Sequence, residues 1–321
     1  MRKRILGALG ILVLLPPALA AIAGWLVAPA FLHPMRRPLP PELIRAAAQR
    51  FQSIGASRED FDVHAPDGVL LRGWKVRPLR PSGSWVLLFH GVADNRLGVM
   101  GQADMLLRAG YGVVMMDARA HGQSEGPAAT YGWLERADTR ATIGALLASE
   151  PKPMISSPEF HLFALGESMG AGIALQSAAI DPRIEAVVAE APFASLREAA
   201  YDYAGLRKSP LLGKTLFRPF TWTLLGRGSA LAGFPAGDVS PEQSVSGRPF
   251  PVLLICDERD EALPCRHTRA IFDAARGSKQ LWVVPGAYHT AAIGFEPVEF
   301  RRRVLAFYSA QAAGPSRSEG H

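Results

Sequence analysis

One stretch constrains this chain more than any other: Phe160 to Ala179, F-H-L-F-A-L-G-E-S-M-G-A-G-I-A-L-Q-S-A-A. A short apolar run, a glycine-flanked corner and a second apolar run follow without a gap. That order predicts a buried strand, a hard turn and a helix. Ser168 stands at the corner, with Gly166 and Gly170 two positions to either side. Glycines there leave room for a turn that side chains would block. The helix that follows aims its positive end at the serine, where negative charge would collect during acyl transfer.

The bare pattern G-x-S-x-G is weak, and the chain contains it twice. Gly122-Gln123-Ser124-Glu125-Gly126 also matches. That copy lies six residues or more past the apolar run Gly112–Met116, and Pro127 follows it instead of a helix. It reads as a loop. Only Ser168 has strand before it and helix after it, which is the context the motif needs.

Strand and helix patterns alternate through most of the chain. The hairpin signal Pro66-Asp67-Gly68 separates Phe61–Ala65 from Val69–Val76. Trp85–Phe89, Gly112–Met116, Phe160–Leu165, Ile184–Ala189, Val252–Ile255 and Gln280–Val284 read as strands. Helical patterns run over 42–51, 99–108, 131–148, 169–180, 265–275 and 296–311. This rhythm predicts an α/β fold with a mainly parallel sheet and helices on both faces. The expected division is 1–40, a transmembrane anchor or signal segment with linker; 41–311, the α/β domain; and 312–321, a disordered tail. Between 196 and 247 the rhythm breaks, and an insert rich in aromatic residues reads as a small helical cap. Tyr201, Phe217 and Trp222 are its candidate substrate-binding residues. The competing reading is that these helices pack on the domain's own core.

At the amino terminus Arg2, Lys3 and Arg4 precede an uncharged, mostly apolar run from Ile5 to Leu32. As a helix it spans roughly 40 Å, more than the ~30 Å hydrocarbon core of a bilayer. Pro16-Pro17 would kink it. Ala18-Leu19-Ala20 resembles a signal-cleavage site, but the apolar run continues well past it, so an uncleaved anchor is the favoured expectation. Either reading exports the domain to the periplasm or beyond the cell. The formal charge of +6 reads as solvated surface plus topology signals. No interleaved basic and aromatic stretch points to nucleic acid.

A serine hydroxyl needs a base, and the base needs an orienting acid. His289 follows the last strand and precedes the last helix, on the sheet end where Ser168 stands. The acid belongs in Asp257-Glu258-Arg259-Asp260-Glu261; Asp260 is the choice, with Asp257 and Glu258 in reserve. The order Ser, acid, His suits this architecture. Two main-chain N–H groups, of Met169 after the serine and of Val92 after His90-Gly91, are the expected oxyanion donors. Asp117, Arg119 and His121 read as structural. No metal-ligand spacing and no glycine-rich phosphate cradle are present, so no cofactor or metal is expected.

These motifs resemble the α/β-hydrolase superfamily over about residues 60–310. H-G at 90–91, D-A-R-A-H-G-Q-S-E-G at 117–126, G-E-S-M-G at 166–170, D-E-R-D-E-A-L-P at 257–264 and H-T at 289–290 carry the likeness. The chain is similar to the membrane-anchored branch of serine hydrolases related to prolyl-oligopeptidase-like and acyl-hydrolase subfamilies. The resemblance implies Ser168 as nucleophile, Asp260 as acid and His289 as base. Two positions depart from the family pattern: Asp257 and Ala120 stand where glycine is usual.

The expected activity is hydrolysis of an ester or thioester with an apolar acyl part, through a covalent acyl-enzyme. A peptidase, an amidase or an acyltransferase uses the same groups. A membrane-tethered binding protein that keeps the fold without turnover is the rival of another class. Cys256 and Cys265 flank the acid loop; two unpaired buried thiols are the favoured expectation over a disulfide.

Overall fold

A computed structural model describes residues 2–208, 212–213 and 215–314, with side chains from residue 14 onward. In chain order the strands are β1 (Ser57–Asp60), β2 (Val63–His64), β3 (Leu70–Leu71), β4 (Gly73–Arg77), β5 (Trp85–Phe89), β6 (Gly112–Met116), β7 (Leu162–Glu167), β8 (Ala186–Glu190), β9 (Val252–Asp257) and β10 (Lys279–Val284). The helices are α1 (Arg2–Leu32), α2 (Pro41–Ser53), α3 (Met100–Arg108), α4 (Glu135–Ser149), α5 (Lys152–Ile155), α6 (Met169–Ile180), α7 (Leu196–Tyr203), α8 (Arg218–Ala232), α9 (Pro241–Gly247), α10 (Arg266–Ala274), α11 (Ala292–Phe295) and α12 (Pro297–Ala312).

Eight strands form one sheet in the order β1-β4-β6-β5-β7-β8-β9-β10. Only β4 runs against its neighbours; from β6 to β10 every pairing is parallel. A parallel sheet must be covered on both faces, so its strands are apolar on both sides. Every residue of β7, β8 and β9 is buried accordingly. Helices α2, α3 and α12 pack one face, and α4, α6, α9 and α10 the other. The carboxyl ends of β5, β7, β8, β9 and β10 therefore open onto one rim.

Several boundaries differ from the expectations. The edge strand β1, Ser-Arg-Glu-Asp, carries no apolar alternation and joins the sheet by pairing with β4. The helix expected from Tyr131 begins at Glu135. Its carboxylate accepts the Thr130 and Gly132 N–H groups at 2.7 and 2.8 Å, so residues 130–134 form a cap before it. The expected tail 312–321 falls, from residue 315, outside the described residues, and α12 runs through Ala312.

Residues 196–247 carry α7, α8 and α9 between β8 and β9. Helix α1 continues unbroken through Pro16, Pro17 and Pro29. Its stretch Leu14–Leu32 is long and apolar enough to cross a membrane. The same helix also packs along α8. Ala20, Gly24, Ala28 and Leu32 recur every fourth residue, which places them on one face, and all four are buried. A Cβ on Gly24 would collide with the Phe220 carbonyl, so only glycine allows this approach. Thr223 Oγ1 donates to the Ala21 carbonyl at 2.7 Å, and Tyr131 Oη to the Phe31 carbonyl at 2.6 Å.

Candidate active site

Ser168 lies between β7 and α6 with φ 53° and ψ −119°. Non-glycine residues rarely hold this region, at a cost of about 1–3 kcal/mol. Its N–H donates to the Glu190 carbonyl at 2.9 Å, and its carbonyl accepts the Gly172 N–H at 3.2 Å. The flanking glycines are needed for close approach. A Cβ on Gly166 would stand 2.7 Å from the Ala171 nitrogen, and one on Gly170 would stand 2.6 Å from the His90 carbonyl oxygen.

His289 follows β10. Its Nε2 is 2.8 Å from Ser168 Oγ, and its Nδ1 is 2.6 Å from Asp260 Oδ2. An ionised carboxylate can only accept, so Nδ1 carries the proton and Nε2 is left to accept from the serine hydroxyl. Asp260 is itself fixed: its Oδ1 accepts the N–H groups of Ala262 and Leu263, both at 2.8 Å.

The two reserve acids do not touch the imidazole. Asp257 Oδ2 accepts the Thr290 N–H at 2.9 Å, and Glu258 Oε2 accepts the Gly286 N–H at 2.8 Å. Both grip the main chain of the loop that carries His289. Cys256 and Cys265 are paired in a disulfide, against the expectation of two free thiols. Cys256 lies in β9 and Cys265 immediately precedes α10. The acid loop folds back so tightly that their Cα atoms are 5.4 Å apart, inside the range a bridge requires.

Val92 and Met169 both line the cavity in front of Ser168. Neither main-chain N–H has an acceptor among the described residues. The Val92 loop is braced by His90, whose Nδ1–H donates to the Gly91 carbonyl at 2.7 Å while Nε2 accepts the Ala118 N–H at 3.0 Å. Burial lowers the His90 pKa and favours this neutral form.

The second G-x-S-x-G is structural. Ser124 is fully buried; its Oγ donates to the Asp117 carbonyl at 2.7 Å and accepts the Arg72 N–H at 2.8 Å. Asp117 takes the N–H groups of Arg96 and Gln123 at 2.8 Å each. Arg119 pairs with the carboxylate of Asp138, and His121 Nδ1 with the Arg119 carbonyl.

A cavity of about 350 Å³ opens in front of Ser168. Phe31, Tyr131, Phe193, Tyr203, Phe220 and Leu224 supply much of its wall, and among the described residues no charged one lines it. Tyr201, Phe217 and Trp222 do not line it, which corrects the cap assignment. Tyr201 is two residues from Tyr203, and Trp222 two from both Phe220 and Leu224. Two residues is about half a helical turn, so these rings point away. Tyr201 Oη caps the Leu206 carbonyl, Trp222 is exposed, and Phe217 precedes α8.

Two more acids stand at this rim. Glu167 and Glu190 end β7 and β8 as Asp257 ends β9, beneath the serine and histidine. A carboxylate closing an otherwise apolar strand is the signal that could have found them. Glu167 meets Gln102 Nε2 at 3.1 Å, and Glu190 accepts the Ala292 N–H at 2.9 Å. Burial pushes Glu167 up to about 8 and Asp257 to about 7, and holds Glu190 well above its ordinary value. Among the described residues no group of three or more His, Cys, Asp or Glu is placed to hold a metal ion.

The chain is similar to several known proteins. The family model described as serine aminopeptidase, S33, matches residues 81–226. The uncharacterized protein YqkD of Bacillus subtilis is 27% identical over 251 residues, 77% of this chain and 78% of that protein. The uncharacterized protein YfhR of Escherichia coli K12 is 25% identical over 266 residues, 81% of this chain and 83% of that one. Among solved structures, the Pyrococcus furiosus esterase Pf2001 superposes with a TM-score of 0.65 at 23% identity, covering 82% of this chain and 95% of its own. The esterase EaEST of Exiguobacterium antarcticum gives a TM-score of 0.56 at 16% identity, covering 78% and 100%. At these identities the two structures attest the fold.

Proposed function

We propose that this chain, which has the fold of the α/β-hydrolases, is a serine hydrolase of that superfamily that cleaves carboxylic esters or thioesters through an acyl-enzyme. One observation carries the reading: a continuous Asp260–His289–Ser168 hydrogen-bond chain at the mouth of an uncharged, apolar cavity. His289 Nε2 takes the proton as Ser168 Oγ attacks the carbonyl carbon. The tetrahedral oxyanion is met by the free N–H groups of Val92 and Met169, each such donor being worth roughly 3 kcal/mol. His289 then protonates the leaving group. A water molecule reverses the sequence and frees the acid. Asp260 holds the imidazole tautomer and stabilises the transient imidazolium.

A peptidase or amidase is the second reading, favoured by the description of the matching family model. An aminopeptidase must hold the cationic amino end of its substrate, and among the described residues no carboxylate lines the cavity. That favours the ester. An acyltransferase would share every step but the last.

The membrane role of α1 belongs to the same proposal. The helix runs unbroken past Ala18-Leu19-Ala20, and Gly24, Ala28 and Leu32 beyond it pack against the domain. That supports a retained anchor over a cleaved signal. The disulfide suits an oxidising compartment outside the cytoplasm.

A fluorophosphonate probe tests the chemistry. Labelling should occur and vanish in Ser168→Ala. Labelling that survives in Ser168→Ala and is lost in Ser124→Ala would overturn the assignment. A panel of p-nitrophenyl esters beside a peptide p-nitroanilide separates ester from amide. Extraction of membranes with carbonate tests the anchor, which should stay in the pellet.

A further inference from the structure

The helix long enough to cross a membrane is also a wall of the cavity. Val27, Ala30 and Phe31, on the last turns of α1, line the space in front of Ser168. Phe31 stacks on Tyr131 with ring centroids 4.7 Å apart. From α8, Phe220 and Leu224 complete the same side. A passive tether has no reason to be built into the site. Removing these turns would open the cavity on one side and leave Ser168 facing solvent.

The outward face of α1 points to where the cavity leads. Leu14, Leu15, Leu19, Ile22 and Leu26 are all more than half exposed. A continuous apolar face of this kind on a folded domain marks a surface that something covers. At its edge two tryptophans lie under arginines: Arg227 stands 3.4 Å from the Trp25 ring centroid and Arg218 4.8 Å from that of Trp222. Tryptophan and cationic side chains gather at the headgroup level of a bilayer. Val27 and Ala30 are themselves exposed at the cavity mouth, about half a turn and about one and a half turns beyond Trp25. The cavity thus opens beside the headgroup layer.

Resting on the hydrolase reading above, we infer that α1 is the acyl-binding wall of the site. The substrate is a membrane-borne amphiphile whose acyl chain leaves the bilayer along α1 and enters between Phe31 and Phe220. The apolar wall takes the chain, and the ester or thioester carbonyl reaches Ser168 at the cavity floor. Specificity for chain length is then set by the anchor helix, not by the cap alone.

The test uses the full chain reconstituted in phosphatidylcholine vesicles. Ala30→Trp and, separately, Val27→Trp narrow the mouth from the α1 side, while Leu26→Ala alters the outward face. Fluorophosphonate labelling of Ser168 reports whether the catalytic groups remain assembled. In both tryptophan variants labelling and p-nitrophenyl acetate turnover should stay within about threefold, and kcat/KM for p-nitrophenyl decanoate should fall at least about tenfold, because several methylenes lose their burial. Leu26→Ala should leave both esters unchanged. Equal losses on both esters, or no loss on either, would overturn the inference while leaving the labelled serine hydrolase intact. An unlabelled wild-type protein would instead refute the hydrolase reading itself.

A second measurement needs no turnover. In Ser168→Ala vesicles, phosphatidylcholine with a diazirine on its acyl chain should crosslink to peptides containing residues 27–31 and 220–224. Crosslinks confined to residues 14–22, the lipid-facing turns, would refute entry along the helix.

Discussion

Replacing Gly170 by alanine tests how tightly the serine corner is built. The added Cβ would lie 2.6 Å from the His90 carbonyl oxygen, 2.5 Å from the Phe89 carbonyl carbon, and closer still to the Phe89 oxygen. All three are main-chain atoms at the end of β5, so no side chain can rotate away. Ordinary contact begins at 3.4 Å. Relief therefore takes a shift of about 1 Å, either of the start of α6 or of the end of β5. The first carries Ser168 and the Met169 N–H; the second carries the Val92 N–H. Overpacking of this kind costs about 1–3 kcal/mol of stability, and a 1 Å misplacement of reacting groups costs about a hundredfold in rate. We expect Gly170→Ala to melt several degrees lower and to lose about a hundredfold in kcat/KM on a short p-nitrophenyl ester. It should still label slowly with fluorophosphonate, since the nucleophile and base remain. A variant with wild-type melting and wild-type kcat/KM would refute the claim that the corner leaves no room for a Cβ.

Other expectations follow from single features. Gly144, in the middle of α4, has nothing within 4 Å of the Cβ it lacks, so Gly144→Ala should raise stability by about 0.5–1 kcal/mol in denaturant unfolding and leave turnover alone. Alkylation of the denatured, unreduced protein should label no thiol, and Cys256→Ala with Cys265→Ala should cost roughly 2–3 kcal/mol through the short loop the bridge closes. The Glu167 carboxyl keeps its proton up to about 8 in the fold, against 4.5 in the open chain. Its contribution is full below 4.5 and is lost as the pH rises through that window, because only the unfolded chain ionises there. The urea midpoint should therefore fall between about pH 5 and about pH 8, and Glu167→Gln should flatten that fall.

The corner at Ser168 was legible because strand, turn and helix are contiguous in the chain. His289 and Asp260 were legible because each follows a strand that must end at the same rim of a parallel sheet. What stayed hidden depends on contacts across the fold. The edge strand β1 is polar and joins the sheet by pairing with β4. In the insert, apolar rings surround α7 and α8, so periodicity could not say that Tyr203 and Phe220 line the cavity while Tyr201 is buried away from it and Trp222 is exposed. The disulfide depends on how sharply the acid loop returns. Buried acids such as Glu190 show in the sequence only as a carboxylate that closes an apolar strand; that they gather at one rim depends on the sheet order. The long apolar run at the amino terminus was recognised, but its second role was not: the spacing of Ala20, Gly24, Ala28 and Leu32 acquires meaning only once α8 lies against it.

Five residues around this rim, Ala93, Tyr131, Ser168, Ala191 and Thr290, hold a positive φ without being glycine; Ser168 and Ala191 do so immediately past a strand tip. Ala120, in the neighbouring loop, does the same. Among the described residues, conformational tension is thus concentrated on one edge. Any programme to harden this protein against heat has a geography: the far edge will accept improvements without penalty, whereas relaxing the near one exchanges reactivity for robustness.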